Sequence, residues 1–432
     1  MLRFFRSLFL SCSAIFICCS ENNLRNHDGL DPMDGEREES FRFHTHVFRE
    51  NIPALSSRTD IVKKGRVRRE ISHEVIFAIK QKNMDELTSI LHDISDPSSP
   101  NYGQHWTWEE VTEFTSNPEA RDTVISYLNG SGAAIKAITL GGEYITASAP
   151  IVVWERMFNT EFFSFHQTQR DERVEIVTRA EKYWIPRELD VHVDTVFNII
   201  NMYEVSHGNL FPTKQPHVLN GRIKAQDYSG TSMWSYGNII TPYKLKKYYN
   251  MDNELRGINF STQAIFATSN MHFSPNDAFE FQSTAGLPRQ TIASTKNAND
   301  TFCKLIPQWC GESSLDLQYI MGMSPLSPTT HWYTDAGFTG WLIAMANIGN
   351  PPLVVSISYG HTEFSNDNGT KSSFNIQAIK FAAMGVTMFV ASGDDGANSY
   401  TARKNISRCG YAPDFPSVSP YITAVGATSV TG

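Results

Sequence analysis

The sequence predicts an α/β protein in two successive domains. An α+β domain occupies residues 70–203, and a domain built on a parallel sheet occupies 236–432. Three observations lead there. Strand-like and helix-like runs mix without regular alternation over the first stretch. Over the second, strand, helix and strand follow one another with short connections, which implies right-handed crossovers and parallel pairing. Between them, residues 204–235 carry Gly208, Pro212, Pro216, Gly221 and Gly230 among scattered polar residues, the composition of a linker.

The chain begins with a different character. Arg3 and Arg6 precede an apolar run from Leu8 to Cys19, and small residues at Cys18–Ser20 suit cleavage, so residues 1–20 read as a signal peptide. The run is short for a membrane anchor, and no later stretch is apolar and long enough to span a bilayer. Five N-x-S/T acceptors, at Asn129, Asn259, Asn299, Asn368 and Asn405, agree with the secretory pathway and a lysosomal or extracellular destination. Residues 21–69 read as a flexible leader, acidic at DGEREES and basic at KKGRVRR. That basic cluster reads either as a proprotein cleavage site or as a solvated charge run.

In the α+β domain, HEVIFAIKQ alternates like a strand and NMDELTSILHDIS is an amphipathic helix starting near Asn83. DPSSPNYG is a turn cluster. Thr107 with Glu110 forms a capping box for TWEEVTEFT, and ARDTVISYLNGSG is a third helix closed by glycine. AAIKAITLG, EYITASAP and FFSFHQ are strand-like, and APIVVWERMFN continues the helix–strand series.

Past the linker, Thr241 caps a helix with Pro242 at its first position. STQAIFATSN is a buried strand, and SPNDAFEF starts a helix at Ser274. TDAGFTGWLIAMANIG is a helix ended by Gly349, PLVVSISYG a strand, KSSFNIQAIKFAAMG a helix and VTMFVASGDDG a strand. Ligand sites in such sheets lie beyond the carboxyl ends of the strands, and SISYG and SGDDG are two such ends.

The composition bounds the chemistry. The 432 residues are 41% hydrophobic and 19% charged, a globular balance. A formal charge of −8 without a strongly basic patch argues against nucleic acid as a partner. Three of the six cysteines lie in the signal. Cys303 and Cys310 can close a short disulfide loop, which leaves Cys409 over. A zinc site is the competing reading, but neither a C-x-x-C nor a paired histidine spacing supports it.

Glu312 and Asp316 stand one helical turn apart in GESSLDLQYIM. Like charges at that spacing disfavour a helix. In a polar cleft one of the two can hold a proton while the other stays ionised, and the pair can deprotonate a nucleophile at acid pH, where histidine is protonated. The plain alternative is a solvated acidic face. Asp394, in SGDDG, is a turn residue or, if buried and protonated, a donor to an oxyanion. Ser358, Tyr359 and Gly360 end a strand whose backbone edge suits an extended peptide, or are simply sheet.

ESSLDLQY, VVSISYG, ASGDDGA and FPSVSPYITAVGATS occur in this order in the sedolisins, or serine-carboxyl peptidases, and SDPSSPNYG, TWEEVTEF and VHVDTVFNII resemble their activation domain. The resemblance implies a subtilisin-like parallel sheet with helices on both faces, incomplete here, after an α+β ferredoxin-like activation domain. It implies catalytic roles for Glu312 as general base, Asp316 as its orienting partner and Asp394 as protonated oxyanion donor. It implies peptide or protein substrates, the chain's own activation domain as intramolecular inhibitor, and a maturation cut within 204–235. The implied activity is removal of tripeptides from free N-termini or internal cleavage. In the family the serine nucleophile sits in a G-T-S-A/M-type motif downstream of FPSVSPYITAV, so it is expected beyond Gly432. GATS is expected to be a structural turn, and Ser429 is not assigned. The family's Ca²⁺ loop is likewise expected beyond the chain's end. The reading from another class is a non-catalytic remnant that binds peptides or a related peptidase. A metal-binding acidic protein is the third.

Overall fold

The computed structural model describes residues 45–52, 61–168, 174–202, 240–268, 271–293, 298–334, 337–398 and 409–428. The signal stretch, the linker at 204–235 with its maturation site, Asn405 and Ser429 lie outside the described residues.

The first half contains strands β1 (His46–Asn51), β2 (Ile61–Arg66) and β3 (Ser72–Ile79), then helices α1 (Met84–Ser95), α2 (Trp108–Thr115) and α3 (Pro118–Ser131). Strands β4 (Ala134–Ile138) and β5 (Tyr144–Pro150) follow, with α4 (Ile151–Met157) and β6 (Phe162–Thr168). β7 (Val174–Ala180), β8 (Lys182–Pro186), α5 (Arg187–Asp190) and β9 (Val193–Phe197) complete it. Antiparallel strands in the order β4-β5-β3-β9 form the main sheet. That order, with helices after β3 and β5, is the ferredoxin-like arrangement. Leu87, Leu91 and Ile94 are the buried stripe of α1, and the Thr107–Glu110 capping box is made. Trp154, Phe77, Phe158 and Phe162 fill the core beneath the sheet.

One expectation is corrected here. Two pieces of the stretch read as a leader, 46–51 and 61–66, are built into the domain: β1 pairs with β8, and β2 pairs with β6 in a three-stranded sheet. Several charges of the basic cluster are paired. Lys63 bonds Glu181 at 2.6 Å, and Arg69 reaches Glu155 at 2.8 Å, beside Arg66 on the same carboxylate. Ile61 is the one buried residue of β2, so no alternating pattern marks the strand in the sequence.

The second half starts with α6 (Pro242–Tyr248), capped by Thr241 as expected. It continues through β10 (Gln263–Ala267), α7 (Pro275–Thr284), α8 (Asp300–Leu305), α9 (Gly311–Met323), β11 (Thr329–Tyr333) and α10 (Gly337–Ala346). β12 (Val354–Ile357), β13 (His361–Thr362), α11 (Asn368–Ala383), β14 (Thr387–Ala391), β15 (Asp414–Phe415) and β16 (Thr423–Val425) follow. Five strands in the order β11-β10-β12-β14-β16 form a parallel sheet. Helices cover both faces. Ile265 of β10 packs on Leu317 of α9, while its neighbour Phe266 points the other way, onto Trp341 of α10 with ring centroids 5.1 Å apart. The chain therefore switches sides at β10, and ligands of such sheets bind beyond the carboxyl ends at that point, here those of β10 and β12.

The two halves share a core. Ile76, Ala78, Tyr144 and Phe197 join the cluster around Trp341 and Phe374, and Leu87, Leu91 and Val111 pack on Ile379 and Ala383 of α11. Around this apolar contact runs a polar belt. Asn201 Nδ2 donates to Asp367 Oδ2 at 2.7 Å, Ser372 Oγ to Asp194 Oδ2 at 3.1 Å, and the Asn368 backbone N–H to Glu50 Oε1 at 2.6 Å. Lys380 and Glu143 form an ion pair whose side chains are 5% and 3% exposed. Among the described residues, no helix is long and apolar enough to cross a membrane.

Candidate active site

Glu312 lies in the first turn of α9, where the helix dipole favours a negative charge. Asp316 follows one turn later. The helix buries Glu312, Ser313 and Leu317 against the sheet, which turns the acid pair inward and rejects the solvated-face reading. Asp316 Oδ1 accepts a hydrogen bond from Ser358 Oγ at 2.9 Å, and Asp316 Oδ2 is closed off from solvent without a protein partner. Burial, and then the Glu312 charge, push the Asp316 carboxyl well above the usual aspartate range, while the Ser358 hydroxyl opposes the shift.

Behind the pair stands a buried polar layer that the sequence reading missed. Tyr359 is 3% exposed, and burial followed by the Asp316 and Glu312 charges pushes its phenol well up. The Ser313 hydroxyl faces that phenol and lies 3.4 Å from His331 Nε2. Ser313 sits inside ESSLD and His331 inside the alternating run TTHWY, so each reads as ordinary core from its own segment.

The carboxyl ends of neighbouring strands bring the other motifs alongside. β12 and β14 pair with Ile357 opposite Val390, so Ser358–Gly360 and Ser392–Asp395 emerge side by side. The Ser392 backbone N–H donates to Val425 O at 3.0 Å, which aligns GATS with the same end. Gly393 has φ +89°, and the Asp414 carboxylate occupies the place of a side chain there, so only glycine fits. A Cβ on Gly360 would come within 2.9 Å of Phe415 O. Asp394 is exposed in this turn, on the same sheet end as the pair. Thus Glu312, Asp316 and Ser358 are brought together, Tyr359 backs them, and Asp394 and Gly360 lie on the adjoining loops. Ser358 and Tyr359, expected as peptide contacts, turn their side chains toward the acid pair.

Cys303 and Cys310 are joined by a disulfide, which overturns the zinc reading for these two residues, and Cys409 is a free, exposed thiol. Among the described residues, no group of three or more His, Cys, Asp or Glu side chains is placed to hold a metal ion.

Comparison with known proteins follows this geometry. Residues 59–202 match the pro-kumamolisin activation domain. Mouse tripeptidyl-peptidase 1 is 28% identical over 386 residues, covering 85% of this chain and 63% of its own length. The human protein is 28% identical over 381 residues with the same coverage, and the dog protein 27%. The chain thus spans about 63% of the length of these relatives. A solved Pseudomonas sedolisin, a serine-carboxyl proteinase complexed with two molecules of pseudo-iodotyrostatin, is 24% identical with a TM-score of 0.33. It covers 43% of this chain and 52% of its own, too slight a likeness to weigh. Residues 59–202 are thus similar to the pro-kumamolisin activation domain, and 85% of the chain is similar to tripeptidyl-peptidase 1.

Proposed function

We propose that the chain carries the activation domain and the carboxylate part of the machinery of an acid serine-carboxyl peptidase. One observation carries the reading: the Asp316 carboxyl, held by Ser358 with its Oδ2 closed off beside Glu312, is pushed above the usual aspartate range and so favours holding the proton of the pair. Glu312 then bears the charge and serves as general base toward a serine hydroxyl. A histidine would be protonated at acid pH and could not. Asp394 is exposed in the adjoining turn, so the burial its oxyanion role was expected to require is not met by the fold, and the residue is kept in the proposal only for its place at the same sheet end. The backbone of Ser358–Gly360 offers an edge to an extended peptide substrate.

The serine nucleophile is not assigned to any described residue, and Ser429 lies outside them. Removal of tripeptides from free N-termini is the finer reading, suggested by the relatives' name. The activation domain acts as intramolecular inhibitor through its shared core with α11. A secretory route to a lysosomal or extracellular site, with a calcium ion outside the described residues, completes the reading; no step is routed through that ion.

The test is an assay, from pH 3 to 8, of the protein carrying the expected downstream serine motif, for tripeptide release and internal cleavage. Hydrolysis with a bell-shaped acid profile that Glu312→Gln abolishes supports the peptidase. Peptide binding without hydrolysis at any pH favours the remnant. Hydrolysis unchanged in Glu312→Gln rejects the role of the pair.

A further inference from the structure

We propose that His331 is a positioning residue for the acid pair: acting through the Ser313 hydroxyl, it fixes how α9 is turned on the sheet and so where Glu312 and Asp316 point. α9 lies over β10, with Leu317 packed on Ile265. In the sheet, β10 is flanked by β11 on one side and β12 on the other. Hydroxyl groups tie α9 to both flanks. On the β12 side, Ser358 Oγ donates to Asp316 Oδ1 at 2.9 Å. On the β11 side, Ser313 Oγ lies 3.4 Å from His331 Nε2, within hydrogen-bonding reach. The two anchored helix residues, Ser313 and Asp316, stand three positions apart and so share a face of α9. Apolar contacts such as Leu317 on Ile265 hold the helix down but are not directional. A hydrogen bond at each side adds the direction and sets the roll of the helix.

The chemistry of the contact gives a reason for a polar pair where apolar side chains would pack. Ser313 and His331 are both 0% exposed, and burying a hydroxyl or an imidazole costs free energy unless it is hydrogen-bonded. The surroundings of His331 are aromatic: its ring centroid lies 4.7 Å from that of Phe273 and 6.1 Å from that of Tyr333. A hydroxyl both donates and accepts, so Ser313 bonds Nε2 in either imidazole tautomer and with the ring protonated. The tie therefore survives the acid range in which the pair is proposed to act. Ser313 also faces the phenol of Tyr359, the residue after Ser358, whose oxygen is closed off from solvent. The titratable groups around that phenol are Asp316, Glu312 and Tyr333. One buried hydroxyl thus stands between His331 of β11 and the exit of β12, directly beside Glu312 in the helix.

This inference deepens the proposed function and rests on it for the catalytic meaning of the pair, but the geometry is tested without activity. Ser313→Ala, His331→Phe, the double variant and His331→Gln are made in the full chain. Phenylalanine keeps a ring and removes the nitrogen, and glutamine returns a group that donates and accepts. The Asp316 carboxyl titration is read by ¹³C-labelled aspartate, with melting as the check of folding. We expect the titration to fall toward the ordinary range by about one pH unit in Ser313→Ala and in His331→Phe, as water reaches Oδ2. The double variant should fall no further than the singles, and His331→Gln should stay near wild type. This cycle isolates the Ser313–His331 contact from whatever else His331 touches. In the protein carrying the expected downstream serine motif, the two single variants should lose kcat about tenfold with little change in KM, and their acid profile should be displaced.

A lowered melting temperature with an unchanged Asp316 titration overturns the proposal, because the two residues would then serve packing alone. So do shifts that add in the double variant, and a shift in His331→Gln as large as that in His331→Phe. Should His331→Phe not fold, Ser313→Ala and His331→Gln decide on the same readout. If the titration moves as stated while the protein with the serine motif hydrolyses nothing at any pH, the peptidase reading fails and the tie stands.

Discussion

Ser358 Oγ donates to Asp316 Oδ1 across 2.9 Å, and this bond ties the carboxyl end of a central strand to the middle of α9. It sets an acid pair at the end of the sheet where the chain changes sides. The pair is inward-facing because Ser313 and Leu317, its neighbours on the helix, are core residues.

The buried Asp316 gives the first prediction. Its carboxyl titrates well above the usual 3.8 in the folded chain, so between the unfolded and folded values the native state binds the extra proton. Stability then falls as pH rises through that window. Asp316→Asn should melt higher than wild type at pH 8, with the gap closing toward pH 4. A gap independent of pH would contradict the shift.

A second titration belongs to the seam between the halves. Burial raises Glu50 from 4.5 to about 7, against the opposing bond from the Asn368 backbone N–H. This contact therefore loses stability as pH rises from about 4.5 to 7. Glu50→Gln keeps the acceptor and removes the charge. It should raise the melting temperature at pH 8 and leave it unchanged at pH 4; a larger gain at pH 4 would reverse the sign.

Lys380 and Glu143 cross the same seam and are almost wholly buried. Lys380→Met leaves a buried carboxylate without its cation and should cost about 3–5 kcal/mol in denaturant unfolding at neutral pH. Adding Glu143→Gln should recover most of that loss. Equal losses in the single and double variants would show that the pair is uncoupled.

Much of this was legible in the sequence. The capping box at Thr107, the caps at Thr241 and Ser274, and the strand–helix alternation each stand within a single segment, where local chemistry decides the outcome. The E-x-x-x-D spacing marked the acid pair for the same reason. What was not legible depends on partners far along the chain. β2 exists because β6 pairs with it, about 100 residues later, and its charges are answered by Glu155 and Glu181. Ser358 read as a strand end, yet its hydroxyl serves Asp316, 42 residues away. His331 and Ser313 meet only once β11 and α9 have packed.

Asp394 stands exposed on the loop beside the pair. If it supplies a hydrogen bond only as charge develops on the scissile carbonyl, Asp394→Ala should lower kcat with little change in KM. The measurement is steady-state hydrolysis at pH 4; a raised KM at constant kcat would assign it to substrate binding instead.

The most direct measurement is peptide hydrolysis at pH 4 by the protein carrying the expected downstream serine motif and by its Glu312→Gln variant, with folding checked by melting. The pair account predicts turnover lower by orders of magnitude in the variant at an unchanged melting temperature. Turnover equal to wild type in a folded Glu312→Gln chain would contradict it.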